Sequence, residues 1–230
     1  MKRLGFTLAE VLITLGIIGV VAAMTIPALM TNYQKRSFVS KLQKAISTIN
    51  QAYMLSYNDL GDVTAAQAKE MGADAYFNTY WAPYLKGITI CKTYKECGYA
   101  KSNPWSMRDE VVTNATAAIA TPNNRTTFYT PDGILYVVFT GVSSSSTEDG
   151  TAPSSVVIVD VNGPKPPNSY GKDTFFLQRN TEIGGKGIQP DCSSYSNAML
   201  LNNCSKSGTG ACCAEKIRRD GWKIAKDYPW

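Results

Sequence analysis

The sequence predicts an α+β protein: one long N-terminal helix, then an antiparallel sheet of about four strands that the helix packs on. Three observations carry this. Val11 to Gln34 hold no charged residue across 24 positions. The stretch that follows, QKRSFVSKLQKAISTINQAYMLSYNDLG, repeats apolar residues every three or four positions, the helical period. From Thr126 the period falls to two, the period of a strand. Beyond the first thirty residues about 200 remain, enough for one domain with a real core.

The first element is the apolar run. At ~1.5 Å rise per residue, 24 helical positions cover about 36 Å, more than the ~30 Å hydrocarbon core of a bilayer. Lys2 and Arg3 precede it, so the N-terminus stays in the cytoplasm and the C-terminal domain is exported. The run is longer than a signal-peptide core and no A-x-A-like site follows it, so an uncleaved signal-anchor gives the same topology. Glu10 is the odd residue, an acid near the upstream end of the span. Gly16, Gly19, Ala22 and Ala23 offer small surfaces for close helix contact.

Gly5-Phe6-Thr7-Leu8-Ala9-Glu10 resembles the prepilin signature of type IV pilins and type II secretion pseudopilins. The resemblance covers residues 1–30: basic leader, glycine, phenylalanine, an acid at the right offset, then an unbroken apolar run. It implies that a prepilin peptidase recognises the leader with Lys2 and Arg3, cuts between Gly5 and Phe6, and methylates Phe6. It makes Glu10 the assembly acid and Pro27 the helix-kinking proline. It implies a division into a leader (1–5), a transmembrane and polymerisation helix (6–30) and a pilin-like globular domain (31–230). The partners it implies are the bacterial inner membrane, the peptidase, an assembly platform and other pilin or pseudopilin subunits, identical or different. A lone carboxylate in a bilayer costs ~2.5 kcal/mol or more. Cleavage creates an amine at Phe6, and pairing it with Glu10 of a neighbouring copy neutralises both. An unmatched charge penalises a wrong stagger, so Glu10 sets register. In the waiting subunit Glu10 instead reaches the headgroups.

The second element continues the first. Phe38, Leu42, Ala45, Ile46, Ile49 and Tyr53 form a stripe, with Lys41, Gln43, Lys44 and Asn50 between them. No stop signal separates the two halves, so one helix is expected from about Phe6 to Leu60, bent at Pro27 and ended by Gly61. Thr64 to Gln67 resembles a capping box opening a short helix, and another helix starts near Asp74 and stops before Pro83. The aromatics there (Tyr76, Phe77, Tyr80, Trp81, Tyr84) read as core or as a binding face. Cys91 and Cys97 bracket KTYKE and are expected to bond each other; zinc is the rival, with an ill-fitting spacing and no histidine to help.

The sheet follows. TTFYT and ILYVVF flank a Pro-Asp-Gly turn, SVVIVDV is apolar enough to be central, and DTFFLQR is the fourth strand. The Ser-rich tract from Ser143 to Pro153 and NGPKPPNSYGK are loops. A helix on an antiparallel sheet is also the architecture of a pilin head. VDVNGPKPPNSYGKDTFF resembles a recurring pseudopilin turn, and in that family a calcium sits in this part of the head. Asp160, Asn162 and Asp173 are the Ca²⁺ candidates here; the other reading has them bonding their own backbone.

Cys192, Cys204, Cys212 and Cys213 close the chain with ACCAEKIRRDGWKI, a short helix ended near Gly221. Neighbouring Cα atoms lie only ~3.8 Å apart. Cys212 and Cys213 therefore reach different partners, with Cys192 and Cys204 the candidates. An even six cysteines after an export signal read as disulfides, with 15 possible connectivities.

Composition narrows the function. There is no histidine, which removes histidine-dependent triads and metal sites. Gly184-Gly185-Lys186-Gly187 lacks a phosphate loop's spacing, and the acid neighbours Asp109/Glu110 and Glu148/Asp149 read as solvated surface. No catalytic constellation is found and no cofactor is implied beyond the calcium candidate. The leading reading is a filament subunit of a type IV pilus or a type II secretion pseudopilus. A second is a minor tip subunit that binds DNA or a surface, because Lys216, Arg218, Arg219, Trp222, Lys223, Lys226, Tyr228 and Trp230 interleave bases with aromatics. A third is an anchored exported protein that never polymerises.

Overall fold

A computed structural model of the chain describes residues 7–63, 65–107, 110–111, 119, 124–139, 157–179 and 187–230. The chain divides into two compact units, residues 1–37 and 38–230. One helix, α1 (Leu8–Leu60), supplies the described part of the first unit and the start of the second.

In the first unit the helix is apolar all round. Leu8 is 78% exposed, Met24 75% and Leu29 70%, so these side chains have no core of their own. The helix is long and apolar enough to cross a membrane. It runs through Pro27, whose ring removes one backbone donor. The hydroxyls of Thr25 and Thr31 fold back onto the carbonyls of Val21 and Pro27, at 2.9 and 3.0 Å. That satisfies hydroxyls that lipid could not.

In the second unit the stripe does what its spacing predicts. Leu42, Ala45 and Ile49 are fully buried, and Phe38, Ile46 and Tyr53 pack partly buried beside them. Gly61 ends the helix at a left-handed φ of 78°, its N–H donating to Tyr57 O at 2.9 Å. Two short helices follow, α2 (Ala65–Met71) and α3 (Ala73–Tyr80). Thr64, the expected cap of α2, lies outside the described residues, as does the Ser-rich tract.

The sheet is wider than expected. It has six antiparallel strands in the order β1-β4-β5-β6-β7-β8, not about four. The four expected strands form its centre: β4 (Arg125–Tyr129), β5 (Leu135–Phe139), β6 (Val157–Asp160) and β7 (Thr174–Arg179). The edges β1 (Thr89–Cys91) and β8 (Ile188–Pro190) have three residues each, too few to show a period in the sequence. A separate ribbon pairs β2 (Ser106–Met107) with β3 (Glu110–Val111). Gly133, at a φ of 79°, closes the β4–β5 turn.

Both sheet faces are covered. Phe128, Tyr136, Val138, Val157, Val159 and Phe175 face the buried stripe of α1. Leu135, Val137 and Ile158 face the other way, onto Tyr99, Trp105 and Tyr170. Strand β6 is therefore buried at every position.

All six cysteines are bonded. Cys91 pairs with Cys97, Cys192 with Cys212, and Cys204 with Cys213, at Cα separations of 5.4, 5.5 and 5.0 Å. The zinc alternative for Cys91 and Cys97 is thereby corrected: both thiols are spent. Cys204–Cys213 staples the end of α4 (Asn197–Asn203), which the sequence reading missed, to α5 (Cys213–Arg219), and Cys192–Cys212 ties the turn after β8 to the start of α5.

Candidate functional site

Lys2, Arg3, Gly5 and Phe6 lie outside the described residues. The described site begins at Thr7, which caps α1. Its hydroxyl accepts from Glu10 N at 3.2 Å, and Glu10 Oε2 accepts from the Thr7 amide and hydroxyl, both at 2.8 Å. This is a capping box, Thr-x-x-Glu, sitting inside the motif that suggested processing. The sequence reading assigned Glu10 and missed Thr7, although the spacing was there to find. Downstream, no side chain charge appears on the helix until Lys35. Gly16 and Gly19 have open space where a side chain would stand.

A second polar centre lies in the folded unit. Asp160 ends β6 and Asp173 precedes β7; both are fully buried. Asp160 Oδ2 accepts from the Tyr99 hydroxyl at 2.7 Å and Trp105 Nε1 at 2.9 Å, and its Oδ1 from Asn162 N at 3.3 Å. Asp173 accepts from Ser169 N at 2.7 Å and Asn168 N at 2.8 Å. Burial first, then the charge of Asp173, raises the Asp160 carboxyl. Burial raises Asp173 too, against the pull of those backbone donors. The donors Tyr99 and Trp105 are 61 and 55 residues from Asp160 in sequence, too far for any local pattern to show.

That arrangement does not fit calcium, which takes six to eight oxygens. Each of the four carboxylate oxygens already accepts from at least one N–H or O–H donor, which leaves few free oxygens for a shell of that size. Asn162 donates to the carbonyls of Lys165 and Pro166, leaving one buried oxygen, Oδ1, without a partner. One such oxygen is far short of a coordination shell, and no metal-holding group of three or more acid, histidine or cysteine side chains occurs among the described residues. The centre is a loop clasp: Asp173 ties the turn before β7, and Asp160 ties the cover of the second sheet face. This is the second of the two readings of these residues.

Several of the C-terminal bases and aromatics are engaged by the protein's own fold. Lys216 is 6% exposed and its Nζ contacts Asp220 and Asp227, both at 2.9 Å. Glu215, fully buried, takes Arg218 through two bonds of 2.6 Å and Arg219 through one of 2.7 Å. Tyr228 is buried, donating to Gly171 O, and Trp230 packs 5.5 Å from the Phe38 ring. The nucleic-acid reading needs free cations beside stacking faces; Lys216, Arg218, Arg219 and Tyr228 are engaged by the fold, while Lys223 and Lys226 are exposed.

Two family models match. The prokaryotic N-terminal methylation motif matches residues 1–26, and a family of unknown function (DUF6613) matches residues 28–134. No curated protein and no solved structure matches the chain. The chain thus carries a type IV pilin-like prepilin signature, followed by an apolar membrane-length helix, an antiparallel sheet and disulfides that fit a pilin-like fold. The motif supports a type IV pilin/pseudopilin-like protein, and with the apolar helix it is consistent with membrane anchoring.

Proposed function

We propose that the chain is a structural, non-enzymatic subunit of a type IV pilus or type II secretion pseudopilus. It is held in the bacterial inner membrane by residues 6–30, with the globular domain, residues 31–230, on the outer side. Prepilin peptidase removes residues 1–5 between Gly5 and Phe6 and methylates Phe6. The assembly platform then passes the subunit to a filament of like or related chains.

The observation that carries this reading is Glu10. It is the one acid in a membrane-length apolar helix, four residues beyond Phe6. Its carboxylate is satisfied locally by Thr7, which lowers the cost of keeping an acid in or near lipid while the subunit waits. The bonds to Thr7 hold one oxygen, Oε2, and leave Oε1 for a neighbour's methylated Phe6 amine. In an anchor that does not assemble, the acid would serve only to cap the helix with Thr7. Pro27 sits inside the same helix, where its missing backbone donor would permit a bend that lets the apolar strip follow a filament axis.

Mass spectrometry of the mature protein tests processing. The expected N-terminus is N-methylated Phe6; an intact Met1 in cells that contain the peptidase overturns it. Glu10→Ala tests assembly: membrane insertion is retained and filaments seen by electron microscopy are lost. Normal filaments from that variant refute the register role.

A further inference from the structure

Two bridges leave the start of α5 from adjacent residues and enter different surroundings. Cys204 and Cys213 belong to the main core, while Cys192 and Cys212 form a small cluster of their own with Leu200. The Cys204–Cys213 bridge also touches the turn Asn168–Asp173, which leads into β7. A Cβ on Gly171 would lie 2.7 Å from Cys213 Sγ, so the bridge rests on bare backbone. A Cβ on Gly210 would lie 2.7 Å from Tyr170 O, and the Tyr228 hydroxyl donates to Gly171 O. Three points of the segment after β8 thus press on two residues of one turn.

The opposite side of the turn is fixed as well. Ser106 N donates to Asn168 O at 2.9 Å, and Tyr170 N donates to Ser106 O at 3.0 Å. Inside the turn, Asp173 accepts from Asn168 N and Ser169 N. The Tyr170 ring lies 6.5 Å from the Trp105 ring and 4.7 Å from the Phe176 ring. The turn is therefore held between Ser106 and the sulfur of Cys213. Two thiols cannot approach as bonded sulfurs do, so in the reduced chain Cys204 and Cys213 must part. A close-packed interior passes such a displacement on. The backbone of Gly171 has no room to absorb it, because even a methyl group would collide with the sulfur there.

We infer that Cys204–Cys213 is a redox latch for this turn. Closing the bridge seats Tyr170 and Asp173 and completes the second cover of the sheet; the dithiol chain leaves the turn open. Closure passes two electrons from the two thiols to a disulfide oxidant through a mixed disulfide. The oxidant takes up the two protons and leaves as two thiols. In an oxidising compartment the latch closes as the chain folds, and burial of both sulfurs then shields it from reductants. Cys192–Cys212 ties the same segment without seating the turn. The latch is a property of the folded unit and holds whether or not the chain assembles.

Hydrogen exchange read by mass spectrometry on the full chain in detergent tests it. Three forms are compared: the oxidised wild type, Cys204→Ser with Cys213→Ser, and Cys192→Ser with Cys212→Ser. Opening the latch pair is expected to speed exchange of the Asn168, Ser169 and Tyr170 amides roughly tenfold, one hydrogen bond's worth of protection, while β6 stays protected. Removing the other bridge leaves those amides within about twofold of the wild type. Gly171→Ala keeps all six cysteines bonded, as intact mass verifies, and crowds the sulfur, so it opens the same amides. If the latch pair exchanges throughout the domain, Gly171→Ala decides: fast exchange confined to the turn supports the latch, and any other pattern overturns it. Equal exchange in the two cysteine pairs overturns the latch, as does a turn that stays protected in the Cys204/Cys213 variant.

Discussion

Residues 8–30 and 39–56 belong to one helix and treat the same side chains in opposite ways. Leu12 is 61% exposed and Ile18 63%, whereas Leu42 and Ile49 are each 0% exposed. Composition does not explain the difference; periodicity does. The upstream half is apolar on every face, so no single sheet could cover it. The downstream half gathers its apolar residues into one stripe, and β4 to β7 of the same chain cover that stripe. The helix thus carries one surface addressed to lipid or other subunits and one addressed to its own fold.

The sharpest way to break this comparison is to truncate both halves alike. Leu42→Ala removes a fully buried side chain and is expected to cost about 2–5 kcal/mol of unfolding free energy. Ile18→Ala is expected to change it by less than about 0.5 kcal/mol, because Ile18 has no core to leave. Chemical denaturation of the full chain in detergent reads both. Equal losses would mean that the upstream half shares the folded unit's core.

Two glutamates make the same contrast in charge. Glu10 is exposed on its helix and held by Thr7, while Glu215 is fully buried between Arg218 and Arg219. Breaking a buried pair costs ~3–5 kcal/mol. The two arginines are 44% and 28% exposed, so water recovers part of that, and Glu215→Ala is expected to cost about 2 kcal/mol. A Glu10→Ala chain should unfold at the wild-type midpoint, since Glu10 lies outside the folded core and its proposed role is in assembly. A shifted midpoint for Glu10→Ala would erase the contrast.

The buried acids also give the folded unit a pH dependence. Burial and the neighbouring Asp173 raise Asp160 from 3.8 to about 8. A carboxyl raised on folding keeps its proton in the folded state and loses it in the unfolded chain between those values. Its stabilisation is therefore complete below about pH 3.8 and declines as pH rises towards 8. One shared proton gives a slope of about 1 kcal/mol per pH unit. Unfolding midpoints from pH 4 to 8 should fall accordingly, and Asp160→Asn should flatten the fall. A calcium chelator should leave the midpoints where they are; a drop on chelation would restore the metal reading of Asp160, Asn162 and Asp173.

How much of this was legible in the sequence follows the range of the interaction. The stripe from Phe38 to Tyr53 and the four central strands depend on local period and read correctly. The three-residue edge strands β1 and β8 are defined by their neighbours, not by a pattern, and did not read. The second cover of the sheet rests on Tyr99, Trp105 and Tyr170, brought there by contacts across tens of residues. Separate partners for Cys212 and Cys213 followed from chain geometry, while the choice between Cys192 and Cys204 needed the fold. In the basic aromatic tail, the pairing of Lys216, Arg218 and Arg219 with Glu215, Asp220 and Asp227 needed the fold to show.

The finest probe of the two halves is the single ion pair Lys44–Asp132. Lys44 lies on the polar flank of the downstream stripe and its Nζ meets Asp132 Oδ2 at 2.7 Å, in the β4–β5 turn. The upstream half has no counterpart, because no charge stands between Val11 and Gln34. With side chains 62% and 30% exposed, the pair is well solvated and worth about 0.5 kcal/mol. Lys44→Met keeps the aliphatic stem and removes the charge, so the unfolding midpoint should fall by about 1–2 °C. Molar salt should lower the wild type by more than the variant, the difference matching the effect of the mutation, since screening and mutation remove the same interaction. A larger fall that salt does not reproduce would assign the role of Lys44 to its stem, and with it to the packed stripe.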